Sequence, residues 1–231
     1  MHNVTVRQEI IDRVLARRGR HHLFDSLNPQ KTALVVIDMQ NLFCEPGAPA
    51  EVPASRGICD NITRLCDEVR SIGVLVIWIS SATSFSNGRS DWEMFLGNFV
   101  TDDVRRDGQE YLSPGGEGEQ IWQDLRPHES DLHIRKNRYS ALTPGASMLQ
   151  SALSSHGIEN LLIAGTKTNI CCESTARDAM QLDHQVVMVE DCCAALSDEE
   201  HRSALENVIQ QFGDVMTADE VVSVLKNRPN E

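Results

Sequence analysis

The chain has 231 residues, enough for one substantial hydrophobic core and short for two, so we expect a single domain over residues 1–231. Hydrophobic residues make up 41% of the chain without forming a run long enough to span a bilayer, so no membrane association is expected. The net charge of −13, with no basic stripe, would repel a phosphate backbone and argues against nucleic-acid binding. The N-terminus has no apolar signal-peptide core, and the seven cysteines form no regular framework, so we predict a cytoplasmic protein with reduced thiols.

Strands and helices alternate along the chain. Near the start, Thr5 and Gln8 can cap an amphipathic helix over residues 5–17, which would pack on the domain or on a partner subunit. Short apolar runs rich in β-branched residues predict strands at 32–38, 74–80, 131–136, 161–165, 186–191 and 214–217. Helical spacing predicts helices between them, and capping patterns begin two of these, at Ser197 and at Thr217. The alternation predicts an α/β fold, a three-layer arrangement in which a mainly parallel sheet has helices on both faces.

One long stretch, at about 80–130, departs from this alternation. It is rich in Gly, Ser and Asp and yet contains several aromatic residues. Loops of this length are usually functional or disordered, and the aromatic content favours a folded, lid-like insertion. We expect short helices in it, at "SDWEMFLGNF" and "GEQIWQDLRP".

Three chemically reactive side chains are predicted to lie at carboxyl ends of strands, where open parallel sheets bind their ligands. Asp38 closes the first strand, Lys136 closes the strand at 131–136, and the pair Cys171–Cys172 follows the strand at 161–165 by a short turn. A carboxylate, an amine and a thiol would then meet at one edge of the sheet. Each also has an ordinary structural interpretation, as a turn residue, a solvated lysine and core cysteines.

A helical wheel distinguishes the two cysteines. For a helix starting near Ile170, one apolar face contains Cys172, Ala176, Ala179 and Met180. Cys171 is turned about 100° away from that face, so it is predicted to be the exposed thiol. In the first helical turn, the helix dipole would favour its thiolate.

Three stretches together resemble the isochorismatase-like cysteine hydrolase superfamily: "VVIDMQNLF", "IRKNRYSAL" and "GTKTNICCESTARDAM". Their order and separations are similar to the family's, over about residues 32–225. The resemblance implies a sheet of about six strands and a catalytic set of Asp38, Lys136 and Cys171. It also implies a small-molecule substrate and a homodimer or homotetramer.

The same resemblance implies a cis peptide bond between Thr166 and Lys167, and an oxyanion hole built from the backbone N–H groups of Lys167 and Cys171. Lys167 departs from the small or apolar residue that the family often has there. Its side chain would either point outward or contact an acidic partner.

The motifs also favour one branch of the family. The cysteine is present, which favours amide chemistry, and "WISSATSF" lacks the metal-binding Asp and His of nicotinamidase-like members, so we predict no catalytic metal and no cofactor. The chain then resembles amidohydrolases of linear amides and of ureido or N-carbamoyl compounds, which release ammonia through a thioester. Trp92 and Tyr139 would contact the substrate, or would simply pack in the core, and Arg138 would bind an acid group or lie in solvent. Alternatives are hydrolysis of a vinyl ether or cyclic amide, a non-catalytic role, and a redox-sensing thiol.

Overall fold

The computed structural model describes residues 2–227, apart from the side chain of Asp107. The helices and strands follow one another as α1 (Gln8–Arg18), β1 (Thr32–Ile37), α2 (Asn41–Cys44), α3 (Cys59–Ser71), β2 (Leu75–Ser81), β3 (Phe85–Ser86), β4 (Arg89–Ser90), α4 (Glu93–Leu96), α5 (Asp102–Leu112), β5 (Leu132–Lys136), α6 (Leu149–Ser155), β6 (Asn160–Thr166), α7 (Glu173–Gln181), β7 (Gln185–Ala194), α8 (Asp198–Asn207), β8 (Asp214–Met216) and α9 (Ala218–Lys226). Short 3-10 turns occupy Pro29–Lys31, Pro53–Ile58 and Glu117–Glu119, and π-helical turns occupy Thr168–Cys172 and Val208–Phe212.

Six strands form one sheet in the order β5-β2-β1-β6-β7-β8, and each neighbouring pair is parallel. The predicted α/β fold with a parallel sheet is therefore confirmed. From β1 the sheet extends in one direction through β2 and β5, and in the other direction through β6, β7 and β8. The strand order therefore reverses at β1. Side chains that follow β1, β2, β5 and β6 consequently share one edge of the sheet.

Both faces of the central strands β1 and β6 are buried, which explains why these strands read as continuous apolar runs. Every residue of β1 is buried, and alternate side chains enter different cores. On one face, Leu34 and Val36 pack with apolar residues of α3 and α9. On the other face, Val35 and Ile37 pack with residues of α1, α6 and α7.

The strands β1 and β6 approach each other closely near their carboxyl ends. Gly165 pairs with Ile37, and a Cβ built on Gly165 would lie 2.0 Å from the Ile37 carbonyl oxygen. The φ angle of Gly165 is +113°, a conformation that L side chains rarely adopt. Only glycine fits this position, and it brings the end of β6 against the end of β1.

The N-terminal helix begins at Gln8, three residues later than the predicted start. Its N-cap is Arg7, which provides no side-chain cap, so the predicted Thr5 cap is wrong. The Arg7 guanidinium instead donates to the Glu206 carboxylate at 2.6 and 2.8 Å. Ile10 and Val14 are buried in the core, so this helix packs on the domain itself.

The segment at 80–130 is folded, but not as predicted throughout. The first expected helix is present as α4, whereas "GEQIWQDLRP" forms only the 3-10 turn Glu117–Glu119 followed by an isolated bridge between Ile121 and Gln40. That bridge holds the stretch extended against the residues that follow β1. The helix α5 was not predicted. Among the helices within residues 2–227, none combines the length and apolar run that crossing a bilayer requires.

Candidate active site

Three of the sequence-predicted site residues meet at the carboxyl edge of the sheet. Asp38 follows β1, Lys136 ends β5, and Cys171 lies in the π-helical turn after β6. The Lys136 ammonium donates to Asp38 Oδ2 at 2.8 Å and lies 3.5 Å from Cys171 Sγ. All three side chains are buried, with at most 4% of each residue exposed.

A fourth residue, Ser81, joins this group. Because β2 lies between β1 and β5, the Lys136 side chain must cross the end of β2 to reach Asp38. Ser81 ends β2 and is paired with Lys136 in register. Its hydroxyl donates to Asp38 Oδ1 at 2.8 Å and accepts from Lys136 Nζ at 2.6 Å. Ser81 was not predicted, because its place between the other two residues follows from the order of the strands in the sheet.

Gln40 fixes Ser81 in turn. Its side-chain oxygen accepts from the Ser81 N–H at 2.6 Å, and its Nε2 donates to the carbonyls of Ser81 at 2.9 Å and Gly118 at 2.8 Å. Gln40 is itself buried. One amide therefore connects the residues after β1 with the end of β2 and with the insertion.

The turn that contains Cys171 has an unusual backbone. The Thr166–Lys167 peptide bond is cis, and residues Thr168–Cys172 are π-helical before α7 begins. The Thr168 hydroxyl is paired with His201 Nδ1 at 2.9 Å rather than capping a helix. Single π-helical turns are frequent at functional sites.

The predicted exposure of Cys171 is wrong. Only 4% of Cys171 is exposed, and Cys172 is fully buried. The two thiols still differ, since Cys171 lines a cavity and Cys172 packs in the core among Ala176 and Ala179. Met180, assigned by the wheel to the same apolar face, is 38% exposed.

The predicted lowering of the thiol pKa is also wrong. Burial is the largest effect and raises the pKa of Cys171 well above its ordinary value; the Asp38 charge raises it further, and Lys136 opposes them. Burial would by itself lower the pKa of Lys136, but the Asp38 carboxylate and the Cys171 thiol outweigh it, and the net effect is a raised pKa. The resting site is thus best described as a neutral thiol beside a buried ammonium–carboxylate pair.

The cavity above Cys171 has a volume of about 300 Å³, at the lower end of the range for small-molecule sites. The insertion forms one wall of it. Trp92 and Tyr139 both line the cavity, with ring centroids 4.7 Å apart in an edge-to-face arrangement. Lys136, Lys167 and Cys171 line it as well. Within the described residues, no three His, Cys, Asp or Glu side chains are grouped closely enough to hold a metal ion.

A known protein family has a sequence model that matches most of this chain. Residues 32–220 match the isochorismatase domain. The chain belongs to the isochorismatase family. The resemblance of the three sequence motifs is therefore confirmed, and the chain is a hydrolase of this family.

Two curated relatives illustrate this family membership. A ureidoacrylate amidohydrolase of Klebsiella pneumoniae subsp. pneumoniae is 33% identical over 185 residues, covering 72% of this chain and 74% of the relative. A ureidoacrylate amidohydrolase of Variovorax paradoxus is 30% identical over 210 residues, covering 85% of this chain and 82% of the relative. Among solved structures, a cysteine hydrolase from Pseudomonas syringae pv. phaseolicola superposes with a TM-score of 0.72 at 27% identity, covering 85% of this chain and 92% of that one.

Proposed function

We propose that this isochorismatase-family protein hydrolyses the C–N bond of a small linear amide, or of a ureido or N-carbamoyl compound, with Cys171 as nucleophile. The observation on which the proposal rests is the contact set of Asp38, Lys136 and Cys171 at the base of a cavity. The amidohydrolase relatives support a C–N bond as the target.

The first step is attack by sulfur on the carbonyl carbon. Because burial raises the pKa of Cys171, the thiol is neutral until the substrate is bound. Asp38 takes the thiol proton as the C–S bond forms. Lys136 and Ser81 donate to, and thereby orient, the Asp38 carboxylate.

Negative charge then develops on the carbonyl oxygen. The backbone N–H groups of Lys167 and Cys171 are the donors that we assign to it. Losing one such donor typically costs about 2.7–4 kcal/mol of transition-state stabilisation.

The tetrahedral intermediate collapses by breaking the C–N bond, and Asp38 returns the proton to the leaving nitrogen. The thioester that remains is hydrolysed by water, which Asp38 deprotonates. For a ureido compound R–NH–CO–NH2, one water is consumed and the products are R–NH2, ammonia and carbon dioxide, the last formed by decomposition of the carbamic acid.

The test compares Cys171→Ala with Cys172→Ala, a matched substitution at the neighbouring thiol. Ammonia is followed with a panel of small amides and ureido acids, and the protein is examined by mass spectrometry for an acyl adduct. We expect Cys171→Ala to abolish turnover and the adduct. Equal turnover by Cys171→Ala and the wild type would refute the proposal, and loss only in Cys172→Ala would identify the other thiol. Turnover of a vinyl ether or cyclic amide without an adduct would support the alternative hydrolase function.

A further inference from the structure

The turn that contains Cys171 is supported by α8, a helix none of whose described residues lines the cavity. The Thr168 hydroxyl and His201 Nδ1 lie 2.9 Å apart. At the end of the same helix, Asn207 Nδ2 donates to the Glu173 carboxylate at 3.0 Å. Thr168 precedes Cys171 by three residues, and Glu173 follows it by two. Helix α8 therefore contacts the chain on both sides of Cys171.

Both members of the Thr168–His201 contact are buried, with 0% and 2% of the residue exposed. Burial lowers the pKa of His201 to about 3, so its ring is neutral near neutral pH. A neutral imidazole has one N–H and one bare nitrogen, so Nδ1 and the hydroxyl form a single directional hydrogen bond. Because a buried hydroxyl is costly to leave unpaired, this bond fixes the Thr168 side chain in one orientation.

One face of the His201 ring is covered by His2, with ring centroids 4.4 Å apart and an interplanar angle of 18°. The Ala195 N–H donates to His2 Nε2 at 2.9 Å, and His2 Nδ1 lies 2.7 Å from Asp198 Oδ1. Because Nε2 accepts, the ring proton lies on Nδ1 and is donated to the carboxylate. The His2 ring is therefore held by both of its nitrogens, between the end of β7 and the first turn of α8.

His2 belongs to a segment that precedes α1 and lies outside the residues 32–220 that match the family domain. Alternate side chains of this segment are the less exposed ones, as in an extended chain lying on a surface: His2, Val4 and Val6. Arg7 follows, and its guanidinium pairs with the Glu206 carboxylate of α8 at 2.6 Å. The segment therefore contacts α8 near both ends of the helix, through His2 and through Arg7.

We propose that His201 is a positioning residue for Cys171 and that it acts through Thr168. His2 fixes the His201 ring for this role. This inference rests on the proposed function. Thr168 lies between Lys167 and Cys171, whose backbone N–H groups are assigned to the carbonyl oxygen, so a change in its position would displace the sulfur and both donors. A segment outside the matched domain thereby contributes to the geometry of the nucleophile.

The test measures kcat and KM for ammonia release, with the best substrate of the panel described above. We expect His201→Leu and Thr168→Val to lower kcat at least about tenfold, because misplacing a reacting group by about 1 Å can cost about a hundredfold in rate. KM should stay within about threefold, since α8 does not line the cavity. Thr168→Ser and His201→Asn, which keep a polar partner at the contact, should retain kcat within about threefold. His156→Leu, at an exposed histidine after α6, should match the wild type.

Two further comparisons test the path of the effect. If His201 acts through Thr168, the double variant His201→Leu/Thr168→Val should be within about threefold of the slower single variant, whereas independent effects would multiply. His2→Ala should lower kcat about threefold to tenfold, the effect of one aromatic pair, and Asn3→Ala, at the exposed neighbouring residue, should leave it unchanged. Multiplied effects would refute the path through Thr168, and wild-type kcat in His2→Ala would refute the role of His2.

Alkylation of Cys171 by iodoacetamide, followed by mass spectrometry, tests the positioning without turnover. In His201→Leu we expect it to be about tenfold faster than in wild type, because a displaced turn exposes the sulfur, while alkylation of the buried Cys66 should be unchanged. Wild-type kcat in His201→Leu, or faster alkylation of Cys171 and Cys66 alike, would overturn the inference. If the wild type releases no ammonia from any compound, selectively faster alkylation of Cys171 would refute the proposed function alone, and unchanged alkylation would refute both.

Discussion

Replacing Ser81 with alanine tests whether the hydroxyl between Asp38 and Lys136 contributes to the proposed chemistry. The change removes a donor to Asp38 at 2.8 Å and an acceptor from Lys136 at 2.6 Å, while the direct Lys136–Asp38 contact at 2.8 Å remains. A hydrogen bond to a charged group contributes about 1.5–3 kcal/mol, and the surviving ion pair limits the loss to about that range. If the loss falls on the transition state, kcat/KM should decrease about tenfold to a hundredfold, because each tenfold change corresponds to about 1.4 kcal/mol.

Ser80 offers a matched control, since it is the preceding residue of the same strand. Its hydroxyl donates to Glu119 at 3.1 Å, away from the ion pair. We expect Ser80→Ala to retain kcat/KM for ammonia release within about threefold, and to lose at most about 1.5–3 kcal/mol in urea unfolding, the range for a hydrogen bond to a charged group. If Ser81→Ala retained the activity of Ser80→Ala, the role that we assign to the Ser81 hydroxyl would be wrong.

Three further predictions concern stability, each measured by urea unfolding. Lys136→Met leaves a buried carboxylate unpaired and should cost about 3–5 kcal/mol, against less than about 1 kcal/mol for the exposed Lys31→Met; equal losses would contradict this. Gly165→Ala places a Cβ 2.0 Å from a β1 carbonyl at φ +113° and should cost at least about 3 kcal/mol, whereas Gly157→Ala, at φ +62° with open space, should cost about 1–2 kcal/mol. A larger loss of stability in Gly157→Ala than in Gly165→Ala would contradict the close approach of β6 to β1. Burial lowers the pKa of His201 from 6.5 to about 3, so the free energy that its neutral ring contributes to folding is complete above pH 6.5 and is lost as pH falls. Between pH 7 and 5, the free energy of unfolding of wild type should therefore decrease by about 2 kcal/mol more than that of His201→Gln. Parallel pH dependences of the two proteins would contradict the lowered pKa.

The sheet and the meeting of three side chains were predictable because both depend on short-range signals. A parallel strand buried on both faces must be apolar throughout, and β1 shows this in an unbroken run. Once the strands are placed, the geometry of parallel sheets brings Asp38 and Lys136 to the same edge. The resemblance to a known family then identified the three motifs and their order.

The predictions that were wrong concern features that depend on tertiary contacts. The wheel assumes regular α-helix geometry, whereas the turn at Thr168–Cys172 is π-helical and Cys171 is buried at a cavity. The stretch 118–127 has helical spacing, but Ile121 pairs with Gln40 and holds it extended. Ser81 has no local signal at all, since its role arises only from the position of β2 between β1 and β5.

The raised pKa of Cys171 has a consequence for how the thiol can be activated. With an ionised Asp38, a protonated Lys136 and a neutral thiol, the buried group carries no net charge, whereas releasing the thiol proton to water would leave one uncompensated negative charge in a buried site. Passing the same proton to Asp38 leaves the net charge at zero. Because the interior penalises net charge far more than a rearrangement of charges within a contact pair, internal transfer is the favoured path. In the proposed mechanism this transfer needs a carboxylate within reach of the sulfur, and the contacts of Lys136 and Ser81 orient Asp38 for it.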